Sequence, residues 1–321
     1  MLGFIEITPW HWAGFIFCVL IFLAFDLGVF HRGACVVKFK EALAWSALWF
    51  ALAMFFSVAM IFWRGRGEAI QFTAGYLIEL SLSLDNILVV ALIFAWFRVP
   101  LESQHRVLFW GILGALLMRG AMIAVGVALI HRFGWVLYVF GAFLVFAGAR
   151  MFFARQETVQ PGKNLVLRLA KKFFPIAPDF DGHKFFTWFN ARRALTPLAL
   201  VLLLVETTDL IFAVDSVPAV FSVTQKAFIV FTSNVFAVLG LRSMYFLLAG
   251  ALGCFRYLKF GLSVVLVFIG IKMLIDPYGH EQKWFQIEIP AEVSLLVIAA
   301  ILLISITLSV TAARRGKKAG R

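Results

Sequence analysis

The stretch ELSLSLDNILVV, Glu79 to Val90, decides how the chain must be read: it sets two acids and an amide inside an otherwise apolar run, residues 71–96. A run of that length is enough to cross about 30 Å of hydrocarbon as a helix. A charged side chain at mid-bilayer costs roughly 2.5–3.5 kcal/mol on insertion scales. Glu79, Asp85 and Asn86 therefore need a physical reason to be there.

The surrounding composition supports the membrane reading. Of 321 residues, 63% are hydrophobic and 14% are charged, against about half and about a quarter in soluble domains. The 37 phenylalanines suit lipid-facing helices. The N-terminus MLGFIEITPWHW has no basic n-region, and its first apolar stretch leads into a spanning segment, so no signal peptide is expected. Cys18, Cys35 and Cys254 are scattered, without the C-x-x-C pairing of a thiolate metal site or the pattern of a disulfide framework.

Apolar windows at 12–30, 41–62, 71–96, 107–130, 134–153, 197–222, 227–250, 257–275 and 291–311 predict an all-α polytopic membrane protein of about nine spans. An odd number puts the termini on opposite sides. With the N-terminus outside, inner loops and tail hold 20 of the 29 Lys and Arg residues, outer loops hold five, and Arg119, Arg150, Arg242 and Lys272 lie within spans. That bias favours N-out, C-in. The formal charge of +12 is then a topology signal, and nucleic acid is not expected as a partner.

The opening stretch also has a counterpart. ELSLSLDN (79–86) aligns with DLIFAVDS (209–216), LMRG at Arg119 with GLRS at Arg242, and FAGAR at Arg150 with FIGIK at Lys272. Spans 3–5 thus repeat as spans 6–8, and copies of three spans must cross the bilayer in opposite senses. Inverted repeats of this kind place a transport site near the midplane between the copies. The chain divides accordingly into 1–70 (spans 1 and 2), 71–153 (first repeat), 154–195 (a basic inner loop), 196–275 (second repeat) and 276–321 (span 9 and a basic tail). Within the loop, NLVLRLAKKFF predicts a short interfacial amphipathic helix. PIAPDFDGHKFF predicts turns, which would leave Asp179, Asp181 and His183 solvated rather than on a metal.

Helical spacing sorts the intramembrane polar groups. At 100° per residue, Glu79, Ser83 and Asn86 form one stripe, with Ser81 and Asp85 about 120° away. In the second copy Asp209 and Ser216 share a stripe, as do Thr208 and Asp215. Pro218 removes an amide donor and marks a place for the helix to break or kink, which would expose backbone carbonyls to a cation. Carboxylate, amide, hydroxyl and carbonyl oxygens suit hard divalent ions. No His or Cys falls in these sectors, which disfavours Zn²⁺ or Cu⁺. Clustered carboxylates repel one another, and a divalent cation or protons relieve that repulsion, so metal–proton exchange at one cluster is chemically open. Ion pairing is the plainer alternative: Arg119 and Arg242 can neutralise Asp26, Glu206 or Asp209, and Asn234 can serve as a helix–helix hydrogen bond. Met118, Met122 and Met244 read as packing. No phosphate loop, nucleophile elbow or H-E-x-x-H helix is present, so an enzyme or ATP-driven pump is not expected.

FLAFDLGVF, ELSLSLDN, TPLALVLLLVETTDLIFAVDSVPAVF and FTSNVFAVLGLRSMYFLL resemble the signature segments of the TerC family of bacterial membrane proteins, within the LysE transporter superfamily. The nine-span arrangement looks most like its Alx branch. The resemblance implies Mn²⁺ export by alternating access at the bacterial cytoplasmic membrane, with no organic cofactor and with protons as a candidate coupling ion. It implies importance for the acids at Glu79, Asp85 and Asp215. The expected site has Asp85 and Asp215 as primary ligands, Glu79 and Asp209 as second ligands or relays, and Asn86 and Ser216 as neutral oxygens. Family members are also associated with tellurium resistance and with membrane-protein insertion, so an accessory assembly factor is the main alternative and a passive divalent-cation channel a third.

Overall fold

The computed structural model describes residues 7–30, 39–153, 165–189, 192–249, 258–275 and 289–319. Its long elements are helices: α1 (Pro9–Phe30), α2 (Phe39–Arg64), α3 (Arg66–Phe97), α4 (Leu101–Arg132), α5 (Val136–Phe153), α7 (Pro197–Phe221), α8 (Ala227–Ala249), α9 (Leu258–Ile275) and α10 (Ala291–Ala319). Between α5 and α7 lie the short helix α6 (Leu165–Phe173) and the strands β1 (Phe186–Phe189) and β2 (Arg192–Leu195). The protein is an all-α polytopic membrane protein. Each apolar window predicted from sequence falls on a long helix, and among the described residues seven helices are long and apolar enough to cross a membrane.

Helix boundaries follow local chemistry. Thr196 caps α7, its hydroxyl accepting from the Ala199 amide, and Pro197 occupies the first turn, where no donor is needed. Arg98 closes α3 in a left-handed conformation, its amide donating back to Ala95 and Phe94, just before Val99–Pro100. α3 and α4 each have 32 residues, about 48 Å at 1.5 Å per residue. They exceed the hydrocarbon thickness and must tilt or project. Of the break or kink that Pro218 marks in the sequence, no break occurs: α7 stays helical through it to Phe221. The proline costs α7 one ladder bond, the amide that residue 218 would donate to the Val214 carbonyl, and the helix ends three residues later.

Packing places α8 inside and α2 and α10 at the edge: the apolar window of α8 is 78% buried, those of α2 and α10 17% each. Phe55 and Phe62 on α2 and Leu296 and Leu303 on α10 face outward, as lipid-facing residues should. α3 packs against α8, α4 against α7, and α5 along α9, while α3 also meets α7 and α4 meets α8. Gly75 lies near Val220, whereas further along Asn86 reaches Asp209, so α3 and α7 run antiparallel. Gly141 lies at Gly270 and Gly148 at Ser263, so α5 and α9 are antiparallel too. Exchanging α3–α5 with α7–α9 leaves this set of pairings unchanged.

The 165–195 segment folds back onto the start of α7. α6 packs on α7, with Leu167 buried. Turns follow, as the sequence predicts. Asp181 accepts from Thr187 Oγ1 at 2.8 Å and Lys184 Nζ at 3.3 Å, and these bonds hold its carboxyl below the usual carboxylate range. The antiparallel β1–β2 hairpin, which the sequence reading did not anticipate, pairs Phe186 with Leu195 and Trp188 with Arg193.

Candidate ion site

Arg119, from the middle of α4 and 1% exposed, organises the polar centre of the molecule. Its Nη1 forms an ion pair with Glu79 Oε1. Its Nη2 and Nε donate to Asp209 Oδ1 and Oδ2 at 3.0 and 3.3 Å, a two-pronged grip that a planar guanidinium suits. Nη1 also donates to Asn234 Oδ1 at 3.2 Å and Ser216 Oγ at 3.3 Å. Asn234 Nδ2 donates to Glu79 Oε2 at 2.9 Å, and Asn86 Nδ2 reaches Asp209 Oδ1 at 3.4 Å. Four helices contribute: α3 gives Glu79 and Asn86, α4 gives Arg119, α7 gives Asp209 and Ser216, and α8 gives Asn234. With both acids ionised, the cluster carries one negative charge more than Arg119 neutralises.

The two stripes seen in the sequence now have different surroundings. Glu79, Ser83 and Asn86 form the stripe turned toward Arg119. Ser83 Oγ and Asn86 Oδ1 are buried on it without a hydrogen-bond partner among the described residues. Asp85 comes six residues after Glu79, and six steps of 100° set it about 120° off that face. The same holds for Asp215 relative to Asp209. Asp85 accordingly interacts electrostatically with Lys259 on α9, and Asp215 with Arg150 on α5. Among the described residues no hydrogen bond, ion pair or electrostatic interaction joins Asp85 to Asp215, so the direct meeting expected at the midplane is not present in this conformation. Nor, among the described residues, do three acidic, His or Cys side chains stand close enough to share one metal ion.

The remaining candidates fall around this centre. Glu206 lies one turn before Asp209 and interacts with it electrostatically; its carboxylate rests against Gly114 of α4, where a Cβ would collide with it. Arg242, 4% exposed, contacts His105 Nδ1 through Nη2 at 3.3 Å. Asp26 belongs to the part of α1 whose side chains lie outside the described residues. A cavity of about 50 Å³ sits beside the cluster, between Asn86 and Asp209 on one wall and Arg242 and Tyr245 on another. Tyr245 Oη donates to Gln104 Oε1 at 3.0 Å, linking that wall to the first turns of α4. The sequence reading had not singled out Gly114, Lys259 or Tyr245. Glycine within an apolar helix and a lysine at a helix end carry no signal until a partner is placed against them.

Comparison with known proteins agrees with the motifs. The family model described as "Integral membrane protein TerC family" matches residues 64–317. An uncharacterised membrane protein of Myxococcus xanthus, STKORF319, is 54% identical over 96% of this chain and 94% of its own length. Alx of Escherichia coli K12 and of Shigella flexneri, named as a candidate membrane-bound redox modulator, is 46% identical over 93% of both chains. No solved structure matches the chain. With the family model covering most of its length and these relatives aligned nearly end to end, the chain belongs to the TerC family of integral membrane proteins.

Proposed function

We propose that the protein exports Mn²⁺ across the bacterial cytoplasmic membrane, N-terminus outside and C-terminus inside, by alternating access between the α3–α5 and α7–α9 units. The observation that carries this reading is the buried oxygen-rich cluster of Glu79, Asp209, Asn86, Ser216 and Asn234, contributed by both units and closed around one guanidinium. Its donors are those a hard divalent cation prefers. Among hard divalent ions, manganese is chosen on the family resemblance.

In this scheme Arg119 is the tethered cation of the metal-free state. Two carboxylates gathered in low dielectric would otherwise repel. An incoming Mn²⁺ replaces the guanidinium at Asp209 and Glu79, drawing further oxygens from Ser83 and Asn86. In this scheme the ion approaches through the cavity lined by Asn86, Asp209, Arg242 and Tyr245. Asp85 and Asp215, turned toward α9 and α5, act as relays that join the coordination when the units rock. Proton uptake by these acids on metal release would couple the flux to the proton gradient.

Metal content tests the proposal. A bacterial strain lacking other Mn²⁺ exporters should accumulate less manganese when it expresses this protein, and Asp85→Asn with Asp215→Asn should abolish that protection. Equal protection by the double variant would remove both aspartates from the pathway. No change in manganese on wild-type expression would remove the substrate.

A further inference from the structure

The segment joining the two units presents a surface that transport chemistry does not use. Phe173 and Phe174 at the end of α6 are 71% and 52% exposed, and Phe186 and Trp188 on β1 are 61% and 71% exposed. Arg192 and Arg193 on β2 are exposed beside them, and the Arg193 guanidinium lies 5.9 Å from the Trp188 ring centroid. Residues 155–195 carry eight basic side chains against three acidic ones, Glu157, Asp179 and Asp181.

The backbone fixes where this surface lies. β2 runs into α7 with only Thr196 between them. The hairpin base is tied down by bonds from the Thr196 amide to Phe185 O (3.1 Å), the Leu195 amide to Pro175 O (2.9 Å) and the Ala177 amide to Leu195 O (2.9 Å). Trp188 pairs with Arg193, two residues beyond the Phe186–Leu195 base pair, which is roughly 7 Å along a strand. The exposed aromatics are therefore held within about one strand length of the point where α7 enters the apolar layer. α6 packs against α7 as well.

We infer that α6 and the hairpin form a docking surface for anionic phospholipid in the leaflet on their own side of the membrane. Trp188, amphipathic through its indole N–H, suits the headgroup level, and the three phenylalanines suit the headgroup–acyl boundary beneath it. The paired arginines can grip phosphates in a bidentate fork, and the net negative charge of an anionic leaflet adds an attraction that a zwitterionic one lacks. Each basic residue near an anionic surface contributes about 1 kcal/mol. Lipid, rather than a protein partner, is the occupant because exposed aromatics, uncompensated positive charge and a backbone pinned at the membrane boundary occur together on one element. The consequence is an anchor at the start of α7, the helix that carries Asp209 and Asp215.

The test uses the full chain labelled with 5-fluorotryptophan in nanodiscs of phosphatidylcholine alone or with phosphatidylglycerol. The Trp188 resonance is assigned by its loss in Trp188→Phe. In anionic discs it should be broadened by nitroxide-labelled lipid and shielded from an aqueous gadolinium chelate. Arg192→Gln with Arg193→Gln should shift the docked-to-undocked ratio by roughly 25-fold, while the other tryptophan resonances report an intact fold. A Trp188 signal equally open to the aqueous chelate in both bilayers would overturn the inference and leave the face to a protein partner. Lipid broadening that ignores headgroup charge and both arginines would overturn it as well.

Discussion

Glu79 and Asp85 stand six residues apart, and that spacing holds the most informative physics in the chain. Helical geometry places them about 120° apart, and the structure gives them to different cations: Glu79, 0% exposed, to Arg119, and Asp85 to the Lys259 side. The stripes were legible in the sequence. Which stripe would turn toward an arginine was not, because periodicity fixes angles within a helix and says nothing of its rotation against a neighbour. Arg119→Met should cost about 3–5 kcal/mol, since it strands the carboxylates of both Glu79 and Asp209. Adding Glu79→Gln should recover part of that loss, because one of the two stranded charges is then gone while Asp209 keeps the other. Unfolding in detergent of the two single variants and the double variant measures the coupling. Strictly additive losses would show that Arg119 and Glu79 do not stabilise one another.

At the scale of elements, the long helices could be read from hydropathy because lipid selects for uninterrupted apolar length. The amphipathic α6 was legible for a related reason: Arg168, Lys171 and Lys172 recur at i, i+3 and i+4, which gathers the basic residues on one helical face. The hairpin was not. Its strands have four residues each, and β1 buries none of its side chains fully, so no period-2 pattern announces it. Glycine contacts between helices were also invisible. At Gly270 a Cβ would lie 2.7 Å from both Gly141 O and Val145 N, backbone atoms that cannot swing aside. Gly270→Ala should therefore push α9 from α5 and destabilise the protein by about 1–3 kcal/mol. Gly14→Ala, where nothing lies within 4 Å, should leave the melting midpoint unchanged or raise it slightly. Equal midpoints for the two variants would mean that α5 and α9 do not pack through this glycine.

Across the whole molecule, the antiparallel α3/α7 and α5/α9 pairs are the relation that inverted copies would adopt. The landmarks at Glu79/Asp209 and Arg119/Arg242 suggested such copies, but the sequence could not show that only Arg119 would stand between the two acids. Arg242, its counterpart, instead faces the cavity and His105. That asymmetry fits one state of an alternating cycle, with the polar centre closed on its own guanidinium and the approach to it lined by Arg242. If Mn²⁺ displaces Arg119, transport must depend on the acids that Arg119 holds. The most direct measurement is Mn²⁺ flux into proteoliposomes containing the purified protein, read with an entrapped metal-sensitive dye. Wild type should carry Mn²⁺, and Glu79→Gln with Asp209→Asn should lower the rate at least as much as loss of an outer-sphere metal partner does, roughly 10–100-fold. No Mn²⁺ flux above empty liposomes, or equal flux through the double variant, would contradict export through this cluster.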